Sequence, residues 1–231
     1  MVRSLFAAGA IALVAGSASA TVYTDSAGDL GVGGQAILDI LSVEVTNDAT
    51  SISFKFTLAG DVVATDWGKY CVMIDSRAGG DTVGDGWARP IGMVSGGDTW
   101  LGGWADGGNG LENRQSDFGG AWSLAGATYQ GTPGLGISKT QFTVTETVLL
   151  ADIGLSGGGS IFFDCYTTGG GGGDTAIDAL ANPDPSVFDW GEYYNSGGTG
   201  PAGLKYLVSV PAPGTAGLAG LAGIVALRRR R

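Results

Sequence analysis

Ala36-Ile-Leu-Asp-Ile-Leu-Ser-Val-Glu-Val-Thr46, then Asn47-Asp-Ala-Thr50, then Ser51-Ile-Ser-Phe-Lys-Phe-Thr-Leu58 is the stretch that sets the fold class. In its last segment Ile52, Phe54, Phe56 and Leu58 alternate with Ser51, Ser53, Lys55 and Thr57. Successive side chains of a strand point to opposite faces, so this is the pattern of a strand buried on one side. The first segment is enriched in β-branched and aliphatic residues, and the four residues between are turn formers. Two strands and a short polar turn predict a β-hairpin.

Outward from the hairpin the pattern repeats. Lys69–Asp75 (KYCVMID) and Ser160–Thr167 (SIFFDCYT) are apolar on both faces and read as central strands. Trp87–Val94, Thr99–Ala105, Glu112–Arg114, Ala121–Tyr129, Lys139–Thr145 and Leu204–Val210 are expected to add further strands, with Phe142 and Val144 inward. Glu146–Gly154 is expected to form one or two helical turns, and Asp174–Ala181 a short helix. Roughly nine or ten short strands with turn signals between them predict an all-β protein, an antiparallel β-sandwich of jelly-roll or Ig-like topology.

Glycine accounts for 44 of the 231 residues, against an average of about 7%. It clusters between the apolar runs without a three-residue period, which excludes collagen and points to long glycine-rich loops. All 22 acidic residues lie between Asp25 and Glu192, while Arg3 and Arg228–Arg231 account for five of the 12 basic ones. The region between therefore carries seven basic residues against 22 acidic, about −15, which opposes binding to nucleic acid and attracts divalent cations. There is no histidine. That removes histidine triads, the common zinc sites and histidine-ligated haem. Gly169–Gly173 is not followed by the Lys-Ser or Lys-Thr of a phosphate loop, so neither haem nor nucleotide is expected.

Both ends read as address labels. Arg3 precedes an apolar run, Leu5–Val14, and an Ala18-Ser19-Ala20 cleavage site, which predicts a signal peptide over residues 1–20 and a mature start at Thr21. At the other end, Pro211 and Pro213 precede an uncharged run, Thr215–Leu227, and then Arg228, Arg229, Arg230 and Arg231. A short hydrophobic helix is expected there. At about 1.5 Å per residue it covers roughly 20 Å of a ~30 Å hydrocarbon core, marginal for a permanent span. The order Pro-x-Pro, apolar helix, arginine cluster resembles PEP-CTERM tails, with Ala212 where those tails carry glutamate. The resemblance implies an exosortase-type processing enzyme as partner, transient contact with the inner membrane, and residence in the cell envelope or extracellular matrix. A plain tail anchor is the alternative reading. The domain expected between the labels is residues 21–209.

Within that domain, Asp25-x-x-Gly28-Asp29, Asp39-Ile40, Asn47-Asp48-x-Thr50-x-Ile52-x-Phe54 and Tyr70–Asp75 before a Gly-Gly-Asp loop resemble the DOMON-like and family 9 carbohydrate-binding-like sandwiches. The resemblance implies a structural calcium held by early aspartates and affinity for saccharides. Asp25, Asp29 and Asp39 bracket a glycine-rich loop, and calcium accepts such a mixture of carboxylates and carbonyls; turn formation by the same aspartates is the alternative. Asp81 and Asp85 are a second, weaker candidate pair. Trp100 and Trp104 lie four apart on one expected strand, where a shared face of exposed indoles would form a sugar-binding platform; a bulge at Gly102 and Gly103 that splits the pair, or packing of the indoles in the core, is the alternative. Cys71 and Cys165, the two cysteines, are expected to form a disulfide in an oxidising compartment, with burial as free thiols the alternative. No pair of carboxylates is marked for catalysis. The expected function is a secreted, non-catalytic envelope or exopolysaccharide-associated protein that binds saccharide. A purely structural or adhesive surface protein and a polysaccharide-active enzyme are the alternatives.

Overall fold

The computed structural model describes residues 19–31, 33–182, 187–196 and 204–209. The expected signal peptide lies almost wholly outside the described residues. The expected C-terminal helix and its sorting residues Pro211, Pro213 and Arg228–Arg231 lie outside them entirely.

Fourteen strands make up nearly all the regular structure among the described residues: β1 (Ser19–Thr24), β2 (Ile40–Asn47), β3 (Ser51–Leu58), β4 (Lys69–Asp75), β5 (Ile91–Met93), β6 (Thr99–Trp104), β7 (Gly110–Ser116), β8 (Trp122–Ala127), β9 (Gly136–Lys139), β10 (Thr143–Leu149), β11 (Gly159–Thr168), β12 (Ala176–Ala179), β13 (Tyr194–Ser196) and β14 (Leu204–Val208). One antiparallel sheet has the order β1-β2-β3-β10-β9. The other runs β12-β11-β4-β6-β7-β8, with β14 also paired to β11. Val43, Val45, Ile52, Phe54, Phe56 and Val144 of the first sheet and Tyr70, Val72, Ile74, Leu101, Ile161 and Phe163 of the second meet in one buried core. The two sheets therefore face each other, as two apolar sheet faces must if both are to leave water.

The expected β2–β3 hairpin forms, with Asn47 opposite Ile52 and Asp48 accepting the backbone amides of Thr50 and Ser51 in the turn. The central placement of β4 and β11 also matches their two-faced apolarity; they pair along Phe162–Thr168. Four expectations are corrected. Residues 36–39 turn before β2 rather than extending it. Residues 139–145 hold the tight connection from β9 to β10, closed by Thr140 N donating to Thr143 O, which leaves Phe142 at its tip 43% exposed while Val144 is buried. Residues 146–149 belong to strand β10, and helical turning begins only at Leu150, in a single 3-10 turn to Ile153. Asp174–Ala181 contains strand β12, because the edge of β11 offers it a ladder to join.

The expected disulfide is also corrected: both cysteines are free and buried. Cys71 lies opposite Tyr166, and Cys165 opposite Val72. Residues directly opposite share a face and neighbours alternate, so the two thiols sit on opposite sides of one sheet. Cys165 packs in the core between the sheets and Cys71 in a second cluster on the outer face.

Glu146 of β10 points inward between Val144 and Val148 and is fully buried. Neither carboxyl oxygen has a hydrogen-bond partner among the described residues. It lies against Gly103 of the opposing sheet, where a Cβ would overlap Oε1. Burial pushes its carboxyl well above the usual range.

The registers define two poles. At one, Ser19 pairs with Asn47, whose side chain donates to Ser209 O (3.1 Å) and accepts from Tyr206 Oη (2.9 Å). At the other lie Ile40, Leu58, Lys69, Trp104 and Gly110.

Candidate functional site

The outer face of the seven-stranded sheet is covered only in part. Cys71, Met73, Trp100, Tyr166, Ala176 and Ala179 on that face join Ile91, Met93 and Tyr194 of the covering segments in a second apolar cluster, with Trp87 and Trp122 packed at its margin. Covering segments β5 and β13 form a parallel pair over it.

Trp100 and Trp104 do share this face, but their fates differ. Trp100 is 0% exposed. Its indole lies across Gly102 and beneath Gly86, at both of which a Cβ would collide with it. Its Nε1 donates to Tyr166 Oη (2.6 Å), which in turn donates to Asp85 Oδ2 (2.8 Å). Trp100 is therefore a support, which corrects its expected role as a contact surface. Trp104, at the far end of β6, remains half-buried and lies across Gly110 of β7.

An aromatic row runs over these supports. The Trp87 ring meets Trp100 edge-on at 4.6 Å and lies 6.4 Å from Trp104, which lies 6.3 Å from Tyr129. Tyr129 is 61% exposed. It sits in a 3-10 turn, Thr128–Gln130, held to β7 by Leu111 N donating to Thr128 Oγ1 (3.0 Å). One carboxylate fixes the row. Glu112 Oε2 accepts from Trp87 Nε1 (2.9 Å) and from Arg114 Nε (2.9 Å), and Oε1 accepts from Tyr129 Oη (2.9 Å). Burial opposes ionisation of Glu112, but these three bonds outweigh it and hold the carboxyl below its usual range. Tyr129 is correspondingly raised by its bond to Glu112.

Beside the row opens a cleft of about 850 Å³ lined by Val83–Pro90, Arg114, Gly120–Trp122 and Tyr193. Asp85 in its wall is buried, accepting from the amides of Trp87 and Arg89 as well as from Tyr166. Asp81 accepts from Ser116 Oγ and Gly120 N. Both aspartates thus anchor the β4–β5 loop. Of the remaining tryptophans, Trp67 and Trp190 pack on the main core, and Trp122 borders the cleft with an Nε1 that has no partner among the described residues.

The expected cation site is changed in one member. Asp25, Asp29 and Asp178 each offer an oxygen within 4.8 Å of the others. Asp39 instead turns both oxygens to Gly28 N (3.0 and 3.2 Å), bracing the loop. Asp178, on β12, is placed by Ile40 N donating to Oδ2 (2.6 Å) and Ala179 N to Oδ1 (2.8 Å). Asp25 Oδ1 accepts from Ser26 N (2.9 Å), and its buried Oδ2 has no partner among the described residues. Burial, then mutual repulsion, pushes Asp25 up to about 7 and Asp178 up to about 8. An oxygen-preferring dication would reverse both shifts.

Asp25 and Asp29 meet as their spacing suggested, and Trp104 shares a face with Trp100 as the strand period requires. Sequence reading missed Asp178, because that segment read as helical, and it missed Tyr129, Glu112, Arg114 and Arg89, whose convergence depends on β6–β7–β8 pairing. No protein-family model matches the chain, and no curated protein matches it either.

Proposed function

We propose that this is an exported, non-catalytic saccharide-binding protein of the cell envelope or extracellular matrix, whose sugar surface is the Trp87–Trp104–Tyr129 row and the adjoining cleft. The row carries the reading. Sugar rings present apolar faces rimmed by hydroxyls, and fixed aromatic planes with polar edges complement them. Here the planes are fixed before any ligand arrives, since Glu112 ties two of the three rings through hydrogen bonds. Pre-ordering of this kind lowers the entropy cost of binding.

Binding without turnover is favoured by the same carboxylate. A glycosidase requires an acid whose pKa is raised so that it can protonate the leaving oxygen. Glu112 is held the other way and its oxygens are committed to three donors.

Export through the N-terminal signal and sorting through the PEP-CTERM-like tail by an exosortase belong to the same proposal. Ser209, which precedes the tail, is held at Asn47, while Trp104 lies at the opposite pole. A tail held at the membrane would leave the aromatic row facing outward. Calcium at Asp25, Asp29 and Asp178 is proposed as a structural ion that ties β1, the following loop and β12 together at that outward pole.

Glycan-array binding followed by calorimetry tests the reading. Trp104→Ala and Tyr129→Ala should each lower affinity by roughly 5- to 100-fold, from the loss of about 1–3 kcal/mol of stacking and burial. Retained affinity in both variants, or no glycan bound by the wild type, would leave the adhesive or purely structural reading.

A further inference from the structure

Two of the three arginines in the described chain, Arg89 and Arg114, line the cleft beside the aromatic row. In a region carrying seven basic residues against 22 acidic, that concentration needs a reason. Arg89 is 4% exposed. Its Nη2 donates to the carbonyl of Gly169 (3.1 Å), and its guanidinium lies 4.7 Å from the centre of the Trp87 ring. Its Nε and Nη1 have no acceptor, and it has no ion-pair partner, among the described residues. A buried cation without a counterion is costly. The nearest carboxylate in the wall, Asp85, spends its oxygens on Trp87 N, Arg89 N and Tyr166 Oη. Burial raises the Asp85 carboxyl, while its hydrogen bonds and the neighbouring Arg89 charge act in the opposite direction.

Arg114 supplies the accessible half. Its side chain is 25% exposed, and Glu112 engages Nε alone. Both Nη groups remain without a bonded acceptor among the described residues. A guanidinium with one edge fixed and one edge open is a planar fork suited to a carboxylate.

We propose that the cleft takes an acidic sugar, a saccharide carrying a uronate-type carboxylate, with Arg114 receiving the carboxylate and Arg89 adding positive charge in the cleft wall. The inference rests on the saccharide reading above and narrows its ligand. The ring of that sugar lies against Trp87 and Trp122, and neighbouring residues of the saccharide run along Trp104 and Tyr129. Because the rest of the domain repels anions, a saccharide with one carboxylate in the cleft is preferred to a uniformly charged polymer.

The test compares a short oligosaccharide ending in glucuronic acid with the same oligosaccharide ending in glucose, by calorimetry and by the tryptophan fluorescence of the full-length protein. The acidic ligand should bind at least about tenfold more tightly, and that preference should shrink as salt is raised. Arg114→Gln should abolish the preference, so that the acidic ligand binds no more tightly than the neutral one. Arg89→Gln should reduce it in the same sense, and Arg114→Gln decides the matter if the buried substitution impairs folding. Equal affinity for the two ligands overturns the acidic-sugar inference and leaves saccharide binding standing. An acidic preference that survives Arg114→Gln overturns the cleft assignment. Binding of neither ligand overturns both readings.

Discussion

Glu146 offers a direct test of how the core is built. Replacing it by glutamine keeps its shape and removes its charge. The wild-type carboxyl is fully buried between the sheets with both oxygens unpartnered among the described residues, so burial raises its folded pKa well above the ordinary 4.5. Below 4.5 both folded and unfolded chains hold the proton, and this group's contribution is fully present. As pH rises through 4.5 the unfolded state ionises first. Stability then falls by up to about 1.4 kcal/mol per pH unit until the folded pKa is reached. Glu146→Gln should remove that slope, so its advantage over wild type should be small at pH 4 and should grow toward pH 8. Glu146→Met also removes the buried polar group. At pH 7 it should gain about 1–3 kcal/mol, roughly 2–12 °C in melting temperature for a domain of this size. Urea unfolding followed by circular dichroism across this pH range measures both. A second variant isolates the contact: Gly103→Ala places a Cβ against Oε1 and should destabilise, and the loss should be smaller when Glu146 is replaced by alanine. Parallel pH profiles for wild type and Glu146→Gln would refute the reasoning, because they would mean that the carboxyl is solvated or bonded in the folded state.

Calcium should act most strongly where the carboxylates are raised. Without the ion, Asp25 and Asp178 draw stability down as pH climbs from about 4 toward their folded values of about 7 and about 8. At a hundredfold excess over Kd calcium should add about 2.7 kcal/mol, roughly 5–11 °C in melting temperature, and Asp178→Asn should abolish the response. A melting curve indifferent to chelator would reduce the cluster to turn and strand anchors. The thiols of Cys71 and Cys165, raised by burial, should be unreactive in the native protein and both titrate in denaturant. Reductant should leave the melting temperature unchanged, and failure to find two thiols in unfolded protein would contradict their placement on opposite faces.

The parts of the fold legible beforehand are those in which local pattern and tertiary burial agree. Alternation in Ser51–Leu58 is a statement about which side meets water, and the same side meets the core. Two-faced apolarity in β4 and β11 likewise states that something covers both faces. Errors fall where a strand is recruited by its neighbour. Ala176–Ala179 has little β propensity, and Asp174–Ala181 read as helical; the free edge of β11 makes it a strand. Phe142 continues the alternation of its segment, yet the chain reverses there and leaves it at the surface. The cysteine pairing failed on parity: both segments read as strands, but only the register decides which thiol faces which side.

The candidate site divides along the same line. The sequence by itself determined an acidic, histidine-free, strand-rich chain, a run of early aspartates, and an indole at position 104 on the same face as position 100. These follow from composition and from spacing within single segments. Only the tertiary structure decided that Trp100 is roofed over while Trp104 is not, that Asp178 joins Asp25 and Asp29 in place of Asp39, and that Glu112 gathers Trp87, Arg114 and Tyr129 around one carboxyl. The physical reason is sequence separation. Asp178 lies far along the chain from Asp25, and Trp87 is separated from Tyr129 by four strands. Such groups meet only when hydrogen-bond ladders fix which strands are neighbours and in which register.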